Sequence, residues 1–411
     1  MVGVVSLKPK SDNTYCDYPF KQLALKNWNK QKLLEYSPCC MMHTSGDNKM
    51  NLQESDTKTP IEAFYSEEFV KLRKDLSSNI RHEACETCWK IEDKGLESAR
   101  LYSQEYDIES ETRLRQLDIT LSNKCNLMCR MCNFGNSHKF KKEIEYFKKN
   151  NLLDKIQYAT SNYYPEQTYM PNSSESNQLN WLRNNTDKIK VLKASGGEPF
   201  YDDQIIELLN IYIYSNHARD TILEFDTNGT MFNDEILKIN NEFKLLNHSI
   251  SIDGIEEVYE YIRYPHTFSK LDNSLRKYLM LNNIHCVHYA FVLSSLNIFN
   301  VKDYLFYIAS VSRHKDFYIN FEKVRPFDRG TSINLLPIDI LEEAKTEILA
   351  SDFFEYYDLS ICKNLLSSID DAILNNQADK EKLSLEINLL DKARNQNFVN
   401  HLDQRISKWI M

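Results

Sequence analysis

The sequence is poor in glycine, which accounts for only 9 of its 411 residues. Typical usage is about 7%, so a chain like this keeps glycine mainly where the backbone geometry demands it. It also lacks any apolar run near the roughly 20 residues needed to span a bilayer, and its first ten residues hold too short an apolar stretch for a signal peptide. We therefore expect a cytoplasmic protein that makes no membrane contact.

An excess of positive charge is also missing. The chain has 50 Lys and Arg against 59 Asp and Glu, a net charge of −9, which argues against a nucleic-acid coat or a basic membrane-surface protein. Apolar residues make up 42% of the chain, enough for a real core, and this excludes wholesale disorder. In a reducing compartment, its ten cysteines indicate metal binding or catalysis rather than disulfides.

Residues 11–100 show no clean helix or strand period, apart from partial helical periodicity near residues 60–76. A segment with so small a core needs a metal or a bridge to hold it. Half of the cysteines fall here, namely Cys16, Cys39, Cys40, Cys85 and Cys88.

From about residue 115, strand-like and helix-like segments alternate. Helical patterns lie between the strands, and one of them, at 233–243, begins with Asn233 as a possible N-cap. The strand-like segments cover 117–121, 189–195, 221–227, 248–252, 285–293 and 316–324. Such alternation specifies an α/β fold with a parallel sheet, because parallel neighbours need crossover connections; an open sheet and a partial barrel are both compatible with it.

Two further segments complete the organisation. Residues 157–179 have the composition of a polar inserted loop, and after Pro337 only helical patterns remain, ending in a charged amphipathic helix at about 385–409. We expect three parts: a cysteine-rich domain at 1–112, a barrel core at 113–328 and a C-terminal helical extension at 329–411.

The strongest signal is the CxxxCxxC spacing of Cys125, Cys129 and Cys132, just after the first strand of the alternating region. Three thiolates this close can each ligate one iron of a cubane cluster, which ordinarily takes four cysteines. One iron would then keep an open position for a substrate or cofactor, as catalytic zinc sites do. A zinc knuckle completed by His138, a ferredoxin-type cluster completed from afar, and chance stay open as alternatives.

At this loop the sequence resembles the radical S-adenosylmethionine (radical SAM) superfamily, over about residues 115–325. The resemblance implies a partial (β/α)6 barrel in which Cys125, Cys129 and Cys132 hold a [4Fe-4S] cluster. The fourth iron would chelate the amino and carboxylate groups of S-adenosylmethionine. The family usually has an aromatic residue before the third cysteine; here it is Met131, which still offers apolar packing.

The later motifs agree with this resemblance in order and position. Gly196, Gly197, Glu198 and Pro199 end the second strand of the region and look like the family's GGEP motif, which binds the cofactor's amino group. Two glycines leave the backbone edge bare, so its polar groups can approach a ligand. Read alone, the same residues form a plain turn.

Three further strand ends carry polar residues, and ligands of parallel α/β proteins bind at the carboxyl ends of strands. The resemblance implies that these residues contact the ribose and carboxylate of S-adenosylmethionine. Each of them alone also fits a strand-ending turn or a helix cap. They are Asn228 after the third strand, Ser251 and Asp253 at the fourth, and Asn297 at the fifth.

The cysteines near the N-terminus resemble the SPASM/twitch class of auxiliary cluster domains, which usually follow the barrel but precede it here. The resemblance implies one auxiliary [4Fe-4S] cluster, with Cys40 competing with Cys39 as a ligand. Zinc stays open, because similar ligand sets serve both. The implied ligands are Cys16, Cys39, Cys85 and Cys88.

The resemblance implies an enzyme that reductively cleaves S-adenosylmethionine to a 5′-deoxyadenosyl radical, which abstracts a substrate hydrogen. A flavodoxin- or ferredoxin-type protein would supply the electron, and SPASM/twitch enzymes often modify peptides. Carbohydrate, nucleotide or RNA substrates, and a non-catalytic iron–sulfur electron-transfer or binding protein, remain alternatives. Cys286, on the same strand face as His288, is a candidate hydrogen-atom donor, with plain apolar packing as its simpler role.

Overall fold

The computed structural model describes residues 14–26, 35–43, 59–93, 98–103, 112–132, 136–155, 177–324 and 330–411. Most of the predicted inserted loop at 157–179 lies outside these ranges. Within them, no helix is both long enough and apolar enough to cross a membrane.

The described strands form one mostly parallel sheet. Their bounds are β1 Gln22–Lys26, β2 Glu35–Ser37, β3 Gln116–Thr120, β4 Val191–Ala194, β5 Ile222–Thr227, β6 Leu245–Leu246, β7 Ser249–Ser251, β8 Val287–Leu293 and β9 Phe317–Lys323. The order across the sheet is β2-β1-β3-β4-β5-β7-β8-β9, with β6 beside β5. Among the described strands, only β1 and β2 pair antiparallel. The predicted α/β fold is confirmed, as an open sheet of the partial-barrel kind in which β3, β4, β5, β7, β8 and β9 are the six predicted strands in sequence order.

Helices follow most of the strands. Their bounds are α1 Tyr18–Lys21, α2 Pro60–Phe64, α3 Glu67–Ser77, α4 Glu86–Glu92, α5 Lys141–Lys149, α6 Asn177–Arg183, α7 Asp203–Tyr214, α8 Asp234–Asn241, α9 Glu256–Ile262, α10 Phe268–Leu279, α11 Val301–Val311, α12 Ile338–Leu349, α13 Lys363–Leu374, α14 Lys380–Arg394 and α15 Gln404–Ile410. The predicted N-cap of α8 is confirmed, because the Asn233 side chain accepts a hydrogen bond from the Ile236 N–H at 3.0 Å.

Two predicted helices are interrupted in the structure. The helix expected at 60–76 is split into α2 and α3, because Ser66 adopts an extended conformation between them. The helix expected at 385–409 ends at Arg394, where Asn395 takes the left-handed conformation (φ 53°) that terminates helices. The chain resumes as α15 after Asp403 caps the new start.

The N-terminal segment contributes two strands that the sequence analysis did not predict. β1 lies parallel to β3, with Leu23 opposite Leu117, and Leu23 and Leu25 are fully buried. Leucine and other residues alternate along Gln22–Lys26, which indicates a strand, but the stretch is only five residues long. The sheet therefore runs across the predicted boundary at residue 112, and the division into domains stays a prediction.

The two faces of the sheet differ in chemistry because side chains alternate along each strand. One face is apolar and packs into the main core with the helices, as Leu192, Leu223 and Tyr289 do. The other face is polar. On this face, Lys193 of β4 forms an ion pair with Glu224 of β5. The two residues lie directly opposite each other in the register of these strands.

Candidate active site

The three cysteines of the CxxxCxxC motif lie on the loop after β3, at the carboxyl edge of the sheet. Cys125 is buried, and Cys129 and Cys132 are half-buried. Burial raises the pKa of the Cys125 thiol, and the nearby Cys129 and Cys132 thiols raise it further. Burial likewise raises the pKa of Cys129 to about 11. The structure therefore brings the three predicted thiols close enough for each to influence the ionisation of the others.

Backbone hydrogen bonds fix this cysteine loop against the end of α9 and the residues that follow it. The Met128 N–H donates to the Tyr264 carbonyl at 2.7 Å, and the Arg130 N–H donates to the Ile262 carbonyl at 2.8 Å. The Leu127 N–H points to the Cys125 sulfur at 3.4 Å. The loop is thus held in shape by groups outside it.

His138, the residue that a zinc knuckle would use, contacts the cysteine loop through its ring. Its Nδ1 accepts a hydrogen bond from the Cys125 N–H at 3.1 Å, and burial lowers its pKa, which favours the neutral ring. Among the described residues, no three His, Cys, Asp or Glu side chains could hold a single metal ion. A cubane cluster differs from such a site in that each thiolate ligates a different iron.

The two glycines of the GGEP motif let the end of β4 pack directly on the cysteine loop. A Cβ on Gly197 would lie 2.1 Å from the Lys124 carbonyl oxygen, and one on Gly196 would lie 2.3 Å from Cγ2 of Thr120. Both glycines have positive φ angles, +37° and +80°. The Glu198 N–H donates to the Lys124 carbonyl at 2.7 Å, so the GGEP motif is joined to the residue before Cys125.

Glu198 is almost fully buried, at 1% exposure, and its carboxylate joins the ends of β4 and β5. It accepts hydrogen bonds from Thr227 Oγ1 at 2.8 Å, from the Asn228 N–H at 2.6 Å and from the Phe200 N–H at 3.2 Å. Burial raises the pKa of the Glu198 carboxyl to about 7, although the hydrogen bonds from these three donors act to lower it. Pro199, also buried, starts the short 3-10 turn that follows. The predicted contact of Glu198 with an amino group stays a prediction.

Asn228 lies beside the first cysteine. Its Nδ2 donates to Asn126 Oδ1 at 2.8 Å and lies 3.9 Å from the Cys125 sulfur. Its Oδ1 accepts from the Thr230 backbone and hydroxyl. The structure thus brings the predicted ends of the first and third strands of the region together.

Asp253 and Asn297 connect the loops after β7 and β8. The Asp253 carboxylate accepts from the Val292 N–H at 2.8 Å, and Asn297 Nδ2 donates to the Asp253 carbonyl at 3.0 Å and to the Val292 carbonyl at 2.9 Å. Asn297 Oδ1 accepts from the Ser294 N–H. Ser251, at the end of β7, is half-buried. Contacts of these residues with a cofactor stay predictions.

Arg263 is a site residue that the sequence analysis missed. Its Nη2 lies 2.5 Å from Asp253 Oδ2, and its Nη1 lies 3.7 Å from the Cys129 sulfur. Burial raises the pKa of Asp253, and the Arg263 guanidinium opposes that rise. An arginine ten residues after Asp253, at the end of a helix, carries no motif of its own, so only the fold reveals it.

The four cysteines assigned to an auxiliary site line one small cavity, together with Tyr18 and Arg100. Cys39 lines this cavity, whereas Cys40 does not and is exposed. Burial raises the pKa of Cys39, and the other cysteine thiols raise it further. The lining cysteines are Cys16, Cys39, Cys85 and Cys88.

The two groups of cysteines lie at opposite edges of the sheet. Strands β1 and β3 are parallel and in register, and the residues of the four-cysteine cavity adjoin the start of β1, where Gln22 Nε2 donates to the Pro38 carbonyl. Cys125 follows the other end of β3. Cys286 directly precedes β8, which places this candidate hydrogen donor at the amino edge, away from Cys125. Its role stays a prediction, and this position lends it no support.

The donor set of the cysteine loop fits a three-thiolate cluster site. Three thiols belong to one short loop, one sulfur receives a backbone N–H and another a guanidinium, and such hydrogen bonds to sulfur are typical of iron–sulfur sites. The bare backbone of Gly196 and Gly197 adjoins the loop. The four thiols that line the second cavity are the donor set of an all-cysteine site.

Comparisons with known proteins found similarities to solved structures and to one family model. The chain is similar to the structure of Streptococcus suis SuiB bound to precursor peptide SuiA, with 12% identity over 70% of this chain and 57% of that chain and a TM-score of 0.35. It is similar to SuiB bound to S-adenosylmethionine with 13% identity over 70% and 56% of the two chains and a TM-score of 0.34. The chain spans little more than half the length of these structures.

No curated protein matches the chain by sequence. The family model described as "Radical SAM superfamily" matches residues 119–306, a range that starts within β3 and ends within α11 and so contains the cysteine loop and the ends of β4, β5, β7 and β8. Residues 119–306, which are less than half of the chain, therefore match the Radical SAM superfamily, and they contain most of the open parallel sheet.

Proposed function

We propose that this protein is an enzyme that reductively cleaves S-adenosylmethionine to a 5′-deoxyadenosyl radical, which abstracts a hydrogen from a peptide substrate. The cleavage requires a [4Fe-4S] cluster held by Cys125, Cys129 and Cys132. A cluster held by these three thiols would supply one electron to the sulfonium and an open coordination position for the co-substrate. The rest of the chemistry depends on how the chain positions and encloses the co-substrate.

The observation that supports this proposal is the contact between the GGEP motif and the cysteine loop. The Glu198 N–H binds the Lys124 carbonyl, and Asn228 reaches the Cys125 sulfur from the next strand. Residues from the ends of β4 and β5 therefore converge on the cysteine loop that follows β3. An electron-transfer protein needs its cysteines but has no need for this convergence.

In this proposal, each strand end has its own task. Gly196 and Gly197 offer bare backbone carbonyls to the ammonium, and Glu198 adds negative charge behind them. Asn228, Ser251, Asp253 and Asn297 orient the ribose and carboxylate, either directly or by fixing the loops on which they lie. The polar face of the sheet, which carries Lys193 and Glu224, is chemically suited to a polar substrate.

We propose that Cys16, Cys39, Cys85 and Cys88 hold an auxiliary [4Fe-4S] cluster. Their thiols line one cavity, and burial raises their pKa values, so that metal binding must displace protons. Such a cluster would exchange an electron with the product radical or orient the substrate. The peptide class of the substrate follows from the SPASM/twitch resemblance of these cysteines, and a flavodoxin- or ferredoxin-type donor would deliver the electron.

The decisive experiment is anaerobic reconstitution of the whole chain with iron and sulfide, followed by reduction with dithionite in the presence of S-adenosylmethionine. We expect about eight irons per chain, from two cubane clusters, and formation of 5′-deoxyadenosine. A variant with Cys125, Cys129 and Cys132 all replaced by Ala is expected to hold about four irons and to form none. The exposed Cys40→Ala variant is the matched control and is expected to behave as wild type.

Three results would contradict parts of the proposal. Wild-type protein that holds iron but forms no 5′-deoxyadenosine would favour an electron-transfer protein. Zinc bound at the N-terminal site would contradict only the assignment of an auxiliary iron–sulfur cluster. Turnover with an RNA or a carbohydrate, but with no peptide, would overturn the substrate class and leave the radical chemistry intact.

A further inference from the structure

Arg263 is a buried cation that joins two predicted site residues. It is 8% exposed and lies one residue beyond the end of α9. Its Nη2 lies 2.5 Å from Asp253 Oδ2, while its Nη1 lies 3.7 Å from the Cys129 sulfur. Its Nε has no hydrogen-bond partner among the described residues. The guanidinium thus divides its donors between one carboxylate and one cysteine sulfur.

This arrangement is held from several sides. The Asp253 carboxylate is fixed by the Val292 N–H, and the Asp253 carbonyl by Asn297. The Arg263 N–H donates to the Tyr259 carbonyl at 2.7 Å. Because every anchor belongs to the ends of β7, β8 and α9, the distance from the guanidinium to the sulfur is set by the fold.

We propose that Arg263 raises the reduction potential of the cluster held by Cys125, Cys129 and Cys132, and that Asp253 limits this effect by neutralising part of the arginine's charge. The inference rests on the proposed function, since it needs a cluster on those cysteines. It assigns Arg263 a positioning and tuning role for the cluster rather than contact with the substrate.

The physical argument is electrostatic. Reduction adds one negative charge to a cluster whose three thiolates are already negative, and a nearby cation stabilises the more negative form. Net charge and hydrogen bonds to the sulfurs are established determinants of iron–sulfur potentials. The effect is strong here because Arg263 and Asp253 are both buried, so that water screens the interaction little.

Asp253 has the opposite influence on the potential. The Asp253 carboxylate pairs with Nη2 of Arg263, whereas Nη1 of Arg263 faces the Cys129 sulfur. The group of the ion pair that contacts the sulfur is therefore the positively charged guanidinium. Removing the carboxylate alone leaves a full positive charge at the sulfur. Removing both charges leaves the sulfur without a cation. A role in packing alone predicts no such order of potentials.

The test is a redox titration followed by electron paramagnetic resonance, on the whole reconstituted protein without S-adenosylmethionine. The midpoint potential is expected to be highest in Asp253→Asn, intermediate in wild type and lowest in the Arg263→Gln/Asp253→Asn double variant. The control is Arg276→Gln, which removes an exposed arginine paired with Asp272 on α10. Its potential is expected to equal that of wild type.

The outcomes separate this inference from the proposed function. Equal potentials in the three forms, or the reverse order, would overturn the inference while the cluster and its cleavage activity stand. Absence of a cluster that depends on Cys125, Cys129 and Cys132 would overturn both. Asp253→Asn could fail to retain iron because its arginine is left unpaired. In that case the midpoint potentials of wild type and of the neutral double variant are compared. A potential in the double variant that is not lower than that of wild type refutes the role of Arg263.

Discussion

Arg130, which directly follows Cys129, donates a hydrogen bond from Nη2 to Asp391 on α14, 261 residues further along the chain. The arginine is fully buried, donates also to Gln396 Oε1 at 2.9 Å and stacks 3.5 Å above the Tyr261 ring. Tyr261 in turn donates to Asp391 at 2.8 Å. The C-terminal extension therefore holds the cysteine loop directly.

Replacing Asp391 by Asn is expected to loosen the cysteine loop. The change keeps the side-chain size but leaves Arg130 buried without its counter-charge, which typically costs about 3–5 kcal/mol. We expect the variant to lose iron from the Cys125 site during gel filtration, measured as iron per chain. Glu381→Gln, an exposed carboxylate on the same helix, is the control. Full iron retention in Asp391→Asn would show that the loop holds its shape without α14.

Gly197→Ala is expected to disrupt the site more than Gly196→Ala. A Cβ at residue 197 meets the backbone carbonyl of Lys124, whereas one at residue 196 meets a side-chain methyl of Thr120. Both also strain a positive φ angle. The measurement is 5′-deoxyadenosine formation together with the urea midpoint. Thr120→Ser removes the clashing methyl and is expected to rescue Gly196→Ala in part, but not Gly197→Ala; equal rescue of both would contradict the steric account.

The buried pair of Arg394 and Glu143 is expected to show strong coupling in stability. It joins α14 to α5, and both side chains are at most 4% exposed. Removing one partner leaves a buried charge at a typical cost of about 3–5 kcal/mol, whereas replacing both by apolar residues is often nearly neutral. We therefore expect Glu143→Leu to lower the free energy of unfolding and Glu143→Leu/Arg394→Met to recover most of it in urea titrations. Additive losses would refute this.

His248 is expected to make folding stability depend on pH. It is fully buried, accepts from the Phe225 N–H and pairs through Nε2 with Asn240. Burial lowers its pKa to about 3, from about 6.5 in an unfolded chain. The stabilising effect of the neutral ring is therefore complete above pH 6.5 and is lost as the pH falls towards 3, about 2–3 kcal/mol by pH 4.5.

The measurement for His248 is the free energy of unfolding at pH 7 and pH 4.5, in wild type and in His248→Gln. The glutamine does not titrate, so the loss between the two pH values is expected to be smaller in the variant by about 2–3 kcal/mol. Equal pH dependence in both proteins would mean that another group dominates acid unfolding.

Cys39→Ala and Cys40→Ala are expected to differ in metal content although the residues are adjacent. Cys39 lines the four-cysteine cavity and Cys40 does not. Loss of a ligand is expected to empty the auxiliary site, so iron falls from about eight to about four in Cys39→Ala and stays unchanged in Cys40→Ala. The reverse pattern would exchange the two assignments.

The parallel strands were predictable because each is a continuous β-rich run bounded by turn residues, as in β8. The polar residues at strand ends, such as Glu198 and Asn228, were predictable because the loops of parallel strands share one edge. Arg130, Arg263 and Asp391 were not. Their partners lie 10 to 261 residues away in sequence, and a single arginine or aspartate has the pattern of an ordinary surface residue.

Strand β1 lies beside β3 in register, with one group of cysteines at its start and the other beyond the far end of β3. The length of the five-residue strand β1 therefore sets the separation between the two groups of cysteines, because an extended chain advances about 3.3 Å per residue. A molecule that touches both cysteine groups at once needs a backbone about as long as the strand itself. A metabolite of a few atoms can reach only one of them at a time.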